Sequence, residues 1–331
     1  MLIPNSINIQ REQNGDYQIE WQTDPTNTAV TVMPLDTTLT VQANYTTGTH
    51  GGVRFTGMPS GIRHFFMISD QYGNQVIASE RRIDLVGSPN FRDFGGYHGA
   101  NGKQVKWGYL FRSGQLAELN PDDINTIDQL QLDLVLDFRQ VSEQESEQSR
   151  LPSNRRPTIY SLPISPGDHS NFLDHLSDSN AGPEGAVQLM IDINRDFAEK
   201  QTTVYSNMFK HILATDDARF LIHCAAGKDR TGFGAALILL ALGVPQDVVL
   251  RDYMLTGQFF IPTKQTAQLQ RKYQINITEQ ALRPVLETRE AYLLAAIHSI
   301  EQQFKSVDNY LYEALKLGPA EIKELRHRYL S

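Results

Sequence analysis

The sequence predicts a chain in two parts: a small all-β sandwich over residues 1–85, then an α/β domain over residues 86–331 with a central, mainly parallel sheet flanked by helices. Three observations carry this expectation. Up to about residue 85, apolar and polar residues alternate in short runs, the period of half-buried strands. Beyond it, short apolar runs suited to buried strands alternate with longer stretches at helical spacing. A length of 331 residues also exceeds one average domain.

In the first part, Ile7-Asn8-Ile9, Tyr17 to Trp21, Val30-Thr31-Val32, Val53-Arg54-Phe55 and Arg63 to Ile68 read as strands, with Asn14-Gly15 and Tyr72-Gly73-Asn74 as hairpin turns. Short strands at this spacing, six or seven in number, predict a sandwich. The stretch 53–79 resembles the second half of a fibronectin type III module, and Trp21 falls where that fold buries an early tryptophan. Such a module implies packing or spacing, with recognition of a substrate or partner as the alternative.

In the second part, Gln104 to Leu110 reads as a strand, and Asn120-Pro121-Asp122-Asp123 opens a helix with an acidic first turn. Leu132 to Phe138, Tyr160 to Ile164 and Phe220 to His223 read as buried strands. Gly232 to Gly243 suits a core-packed helix; a bilayer span would need about 20 residues. Leu293, Ile297, Ile300 and Phe304 mark the core face of a later helix. The polar stretch from Asp168 to Glu184 runs into a helical segment ending near Leu213. Residues 168–213 are therefore expected to form either a lid or an ordinary surface segment.

The densest chemistry lies at residues 223–232, HCAAGKDRTG, between the Phe220 strand and the Gly232 helix. Strand, tight loop and helix N-terminus bring successive backbone N–H groups to one point, a nest for a dianion. The same N–H groups and nearby cations lower a thiol pKa, so Cys224 is placed to act as a nucleophile. Gly227 lets the chain turn without filling the nest. Arg230 offers a two-pronged fork to phosphoryl oxygens, and Thr231 a hydroxyl for the Cys224 sulfur. The predicted phosphate-binding residues are Ala225, Ala226, Gly227, Lys228, Asp229, Arg230 and Thr231. A lone cysteine is more often a small buried hydrophobe, but six matched neighbours argue otherwise. A nucleotide-binding Gly-Lys loop needs Ser or Thr directly after the lysine, and here Asp229 follows Lys228. His223 either orients the loop or is a satisfied core histidine.

Composition bounds the function. A formal charge of −8 argues against a nucleic-acid surface. One cysteine excludes an internal disulfide, and nine histidines without ligand spacing give no metal site. No cofactor is expected. The first residues, MLIPNSINIQRE, lack the pattern of a signal peptide, and no transmembrane segment is visible, so a cytoplasmic location is expected.

The loop together with NFRDFGGY (90–97), GYLFRSGQL (108–116), VLDFRQVSE (135–143) and VDNYLYEAL (307–315) resembles the bacterial and fungal tyrosine phosphatases with a Gly-Lys-Asp-Arg loop, within the cysteine-based superfamily. The resemblance runs in order over nearly all of residues 86–331. It implies a protein-tyrosine-phosphatase-like domain and a cysteine-dependent, metal-independent phosphatase, with Cys224 as nucleophile and Arg230 as phosphate clamp. It further implies Asp229, inside the loop, as general acid, with Asp137 and Asp168 as rivals. Phosphotyrosine proteins or peptides are the implied substrates. Phosphoinositides join them because Lys228 stands where phosphoinositide phosphatases carry a lysine beside further ring phosphates. Two other readings are a phosphate-binding pseudophosphatase serving as an interaction module and a sulfur- or arsenate-handling thiol enzyme. Retention of Cys224 argues against the first, and the lack of a second cysteine against the other.

Overall fold

In a computed structural model of the chain, residues 1–12, 14–25, 28–35, 50–59, 61–165, 182–260 and 279–331 are described. The N-terminal alternation folds into β1 (Asn8–Arg11), β2 (Tyr17–Gln22), β3 (Val30–Pro34), β4 (His50–Phe55), β5 (Phe65–Asp70) and β6 (Gln75–Ser79). They form two antiparallel three-stranded sheets, ordered β1-β2-β4 and β3-β5-β6. Period-2 geometry sends every second side chain inward. Tyr17, Ile19, Trp21 and Phe55 of one sheet thereby meet Val32, Phe66 and Ile68 of the other in a single hydrophobic cluster. Each such burial contributes about 1.5–3 kcal/mol.

The following strands are β7 (Arg92–Asp93), β8 (Leu110–Ser113), β9 (Leu134–Asp137), β10 (Thr158–Ser161) and β11 (Phe220–His223). They form one five-stranded sheet ordered β10-β9-β11-β8-β7, parallel throughout except for β7. The helices of this part are α1 (Pro121–Gln129), α2 (Val141–Ser146), α3 (Gly182–Lys200), α4 (Thr202–Ala214), α5 (Asp229–Ala241), α6 (Gln246–Met254), α7 (Thr256–Phe259), α8 (Glu279–Leu286), α9 (Glu290–Phe304), α10 (Val307–Glu313) and α11 (Pro319–Tyr329). Alternation again assigns the faces. Phe111, Val135 and Leu221 join Ile127 of α1 on one side. Leu110, Leu136, Phe220 and Ile222 face a larger cluster drawn from α3–α6 and α9–α11 on the other. The result is a mixed sheet flanked by helices, with β11 at its centre. Among the described residues, no helix is long and apolar enough to cross a membrane.

Several boundaries differ from the sequence expectation. The strand expected over Gln104 to Leu110 starts at Leu110 and ends at Ser113, because the chain is still turning at Trp107 and Gly108. Its last two residues, Arg112 and Ser113, are fully buried polar groups that no apolar pattern would mark. The β10 strand lies earlier than Tyr160 to Ile164, and α5 begins three residues before Gly232, inside the loop motif. Asn120 caps α1 in a reciprocal pair with Asp123, as its sequence suggests.

Candidate active site

Strand β11 delivers the chain to the C-terminal edge of the sheet, where ligands of open α/β sheets bind. Cys224 is its next residue and is 2% exposed. The loop that follows is shaped by what takes its carbonyl groups. Ala225 O accepts from Gln115 N at 2.8 Å, and Gly227 O accepts from Asn90 Nδ2 at 2.7 Å and from the Arg112 guanidinium at 3.1 Å. Arg112 also reaches Lys228 O at 3.4 Å. With the carbonyls turned outward, the N–H groups of Ala225, Ala226, Gly227 and Lys228 donate to no acceptor among the described residues. Such an array suits a multiply charged oxyanion. Gly227 is obligatory here. Its φ is +67°, and a Cβ would lie 2.4 Å from the Ser113 carbonyl carbon and oxygen.

Beneath the loop lies a buried ionic layer. Arg112 pairs with Asp252 at 2.9 Å, and Arg92 approaches the same carboxylate at 3.7 Å while donating to Asp252 O and Thr256 Oγ1. Tyr97 donates to Asp252 at 3.0 Å. Arg92 also donates to Asn90 Oδ1, which fixes the amide that holds Gly227. Two guanidiniums share one carboxylate, so the layer carries net positive charge under the anion nest. Burial, and then the neighbouring Arg112 charge, draw the Arg92 pKa down to about 9. Burial alone would raise Asp252, but the two arginines outweigh it and hold the carboxyl below its usual value. The segments 90–97 and 108–116 thus support the loop from below. Asp252 was not anticipated; its signal is an acid on the apolar face of α6, among Val248, Val249 and Tyr253.

Arg230 is gripped by Glu143 of α2 through two contacts, 2.7 and 3.2 Å, and donates to Phe138 O at 3.3 Å. Burial opposes its charge, yet Cys224 and Glu143 prevail and hold its pKa above the ordinary value. Glu143, which the sequence reading left without a role, aims the fork.

The candidate acids separate clearly. Asp229 accepts from Lys228 Nζ at 2.8 Å and from Tyr253 Oη at 3.3 Å, and its side chain keeps 17% exposure. Lys228, which the sequence offers to further ring phosphates, is buried, with its ammonium 5.4 Å from the Tyr292 ring centroid. Its charge faces Asp229 rather than solvent. Asp137 is 2% exposed and held by Arg139 at 2.7 to 3.1 Å, with His223 Nε2 3.4 Å away. That last contact is too poorly aligned for a hydrogen bond. Burial would raise the Asp137 carboxyl, but His223 and Arg139 drive it far below the usual range. Asp168 lies outside the described residues, as does most of the 168–184 stretch. The Thr231 hydroxyl is buried and has no partner among the described residues.

The Asp137–Arg139 pair gives a stability prediction. Asp137→Asn leaves a buried guanidinium poorly compensated and should destabilise the fold by about 3–5 kcal/mol. The folded pKa of Asp137 is depressed, so its contribution is present above the unfolded carboxyl value and disappears as pH falls toward the folded one. Denaturant unfolding at neutral and acidic pH should show the wild-type advantage shrinking with acid. An unchanged midpoint at neutral pH would mean that Arg139 finds another partner.

Comparison with known proteins places this geometry among relatives. A family profile described as the tyrosine phosphatase family matches residues 83–331. A Cupriavidus necator protein, provisionally named a tyrosine-protein phosphatase, is 34% identical over 244 residues, covering 73% of this chain and 86% of its own. The triple specificity protein phosphatase PtpB of Mycobacterium tuberculosis is 26% identical over 70% of this chain and 93% of its own. A tyrosine-protein phosphatase of Nostoc commune is 28% identical over 38% of this chain and 43% of its own.

Proposed function

Since the chain belongs to the tyrosine phosphatase family and is a phosphoric monoester hydrolase of the protein-tyrosine-phosphatase type, we propose that it cleaves phosphotyrosyl esters through a cysteinyl-phosphate on Cys224. The supporting observation is the loop itself: the carbonyls of Ala225, Gly227 and Lys228 are tied outward, and the N–H groups of residues 225–228 meet no acceptor among the described residues, beside the chain's single thiol. Sγ attacks phosphorus, the P–O bond to the tyrosyl oxygen breaks, and that oxygen takes a proton from Asp229. Water then attacks phosphorus, its proton passes to Asp229, and the P–S bond breaks to restore the thiolate. Arg230 and the loop N–H groups bind the equatorial oxygens as charge redistributes. Thr231, with its unpartnered hydroxyl, hydrogen-bonds the departing sulfur. Asp229 is preferred over Asp137 because the latter is locked to Arg139. A reducing, cytoplasmic setting that preserves the thiol belongs to this reading.

The test is phosphate release from phosphotyrosine, phosphoserine and phosphoinositide substrates without added metal, combined with acid quench and intact mass to look for phosphorylated protein. Phosphotyrosine turnover with a trapped adduct is the expected result. Binding without turnover would leave an interaction module instead.

Phosphoinositides stay within the proposed substrate range on the sequence resemblance, not on Lys228; a relative named for triple specificity accords with a range wider than phosphotyrosine. Because Lys228 is buried against Asp229 and Tyr292, its loss should act through Asp229 on every substrate. Lys228→Ala is expected to lower kcat by roughly tenfold on an aryl phosphate and a phosphoinositide alike. A loss confined to the phosphoinositide would instead establish direct contact with a second phosphate.

We read the two N-terminal sheets as a fibronectin type III-like sandwich, with the domain boundary at residue 85. Among the described residues, its hydrophobic cluster draws on residues between 2 and 78.

A further inference from the structure

A cavity of about 540 Å³ opens between the N-terminal sheets and the opposite edge of the catalytic sheet from Cys224. Gly108 and Tyr109 precede β8 and Arg219 precedes β11, so this cavity sits where the strands begin and the loop where they end. A four-residue strand separates the two by roughly 13 Å. The volume lies within the range of small-molecule sites, about 300–1,000 Å³.

Four arginines line it: Arg11, Arg63, Arg82 and Arg219. Three have carboxylate neighbours. Arg63 pairs with Asp93 at 2.8 Å, Arg82 with Asp84 at 2.6 Å, and Arg11 stands 4.0 Å from Glu80. The Arg219 guanidinium forms no ion pair among the described residues, although its backbone N–H donates to Asp133 Oδ2 at 2.9 Å. Its guanidinium lies 5.4 Å from the centroid of the Tyr109 ring, a cation–π contact. Arg63 is likewise stacked, 5.0 Å from Phe65 and 5.5 Å from Trp107, and its buried Nε lacks a partner. The wall therefore combines aromatic faces with one guanidinium that no carboxylate engages directly among the described residues. A dianion would be opposed by Glu80 and Asp84; a single carboxylate would balance the site.

We propose that this inter-sheet cavity is a binding site for a small aromatic monocarboxylate, whose ring lies among Phe65, Trp107 and Tyr109 and whose carboxylate meets Arg219. The site is distinct from the phosphate loop and does not depend on the function proposed above. Both N-terminal and catalytic residues form it, so occupancy ties the two parts of the chain together.

The probe is 2-naphthoate, titrated by isothermal calorimetry into the full chain saturated with vanadate so that the phosphate loop is blocked. Saturable binding is expected. It should weaken roughly tenfold or more in Arg219→Ala, and by a similar factor for uncharged 2-naphthalenemethanol. Gln129→Glu, an isosteric change at an exposed lining position, should weaken binding several-fold by adding a like charge. This second variant decides the matter if Arg219→Ala fails to fold. Turnover of an aryl phosphate should stay intact in both. Binding seen only when vanadate is left out, and indifferent to both substitutions, would place the acid in the phosphate loop and overturn the proposal. So would the absence of saturable heat at millimolar 2-naphthoate.

Discussion

Cys224→Ser should abolish phosphate release from a phosphotyrosyl peptide while leaving vanadate or phosphate binding nearly unchanged. Removing a covalent nucleophile costs on the order of 10⁴-fold or more in kcat. Among the described residues a serine hydroxyl in the same place finds no base to activate it in the first step: His223 faces Asp137, Glu143 is committed to Arg230, and Asp229 enters that step as the acid. The oxyanion nest is untouched, because it is built from N–H groups and from Arg230. Arg230→Lys is the complementary change. It removes the two-pronged fork and releases Glu143 as an unpaired carboxylate beside the phosphate site, so binding and turnover should fall together, by about 10²–10³-fold in kcat. Single-turnover kinetics with a binding titration on each variant separates the two cases. Appreciable steady turnover by Cys224→Ser would remove the cysteinyl-phosphate from the mechanism.

Asp229→Asn should lower kcat by about 10²–10⁴-fold for phenyl and tyrosyl phosphates, whose leaving oxygen needs a proton. For p-nitrophenyl phosphate, which departs readily as an anion, the loss should be much smaller, and the basic limb of the pH–rate profile should flatten. Lys228 and Tyr253 hold the Asp229 carboxyl on the loop, so an amide of the same size retains the geometry. Asp137→Asn serves as the contrast: it should lose stability through Arg139 but show no dependence on the leaving group. If the leaving-group dependence appears in Asp137→Asn and not in Asp229→Asn, the proton donor has been misassigned.

Local signals were legible wherever one residue type could do one job. Phe220 to Ile222 is buried on both faces and reads as a strand; Gly227 sits where a side chain would strike Ser113; Leu293, Ile297 and Ile300 line the buried face of α9. What escapes the sequence is buried charge paired between distant segments. Arg112 and Ser113 interrupt the apolar pattern of β8, so the strand was placed too early. Asp252 is 160 residues from Arg92 along the chain in the bond to its carbonyl, and no local period connects them. Lys228 reads in the sequence as a cation for further ring phosphates; its burial depends on Tyr292, a residue of α9. Glu143 ends the 135–143 segment, but its partner Arg230 is 87 residues away. Ion pairs formed by distant segments leave no periodic trace, and these are the groups that orient the loop.

The short β7 strand carries one more consequence. Its outer side is not bare: Ile83 N donates to Phe91 O at 3.1 Å, Asp93 N donates to Arg81 O at 2.9 Å, and Arg82 bridges Arg92. The segment joining the two parts of the chain is thus a cap on the sheet's otherwise open margin. An unpaired strand margin is a template for another chain, and proteins cover it or place charge on it. Cutting the chain just after residue 85 would strip that cover and leave Asp93 without Arg63. The shortened protein would keep every residue of the phosphate loop and yet be prone to edge-to-edge self-association. Colloidal behaviour at one margin of the sheet therefore depends on a segment that takes no part in the chemistry at its centre.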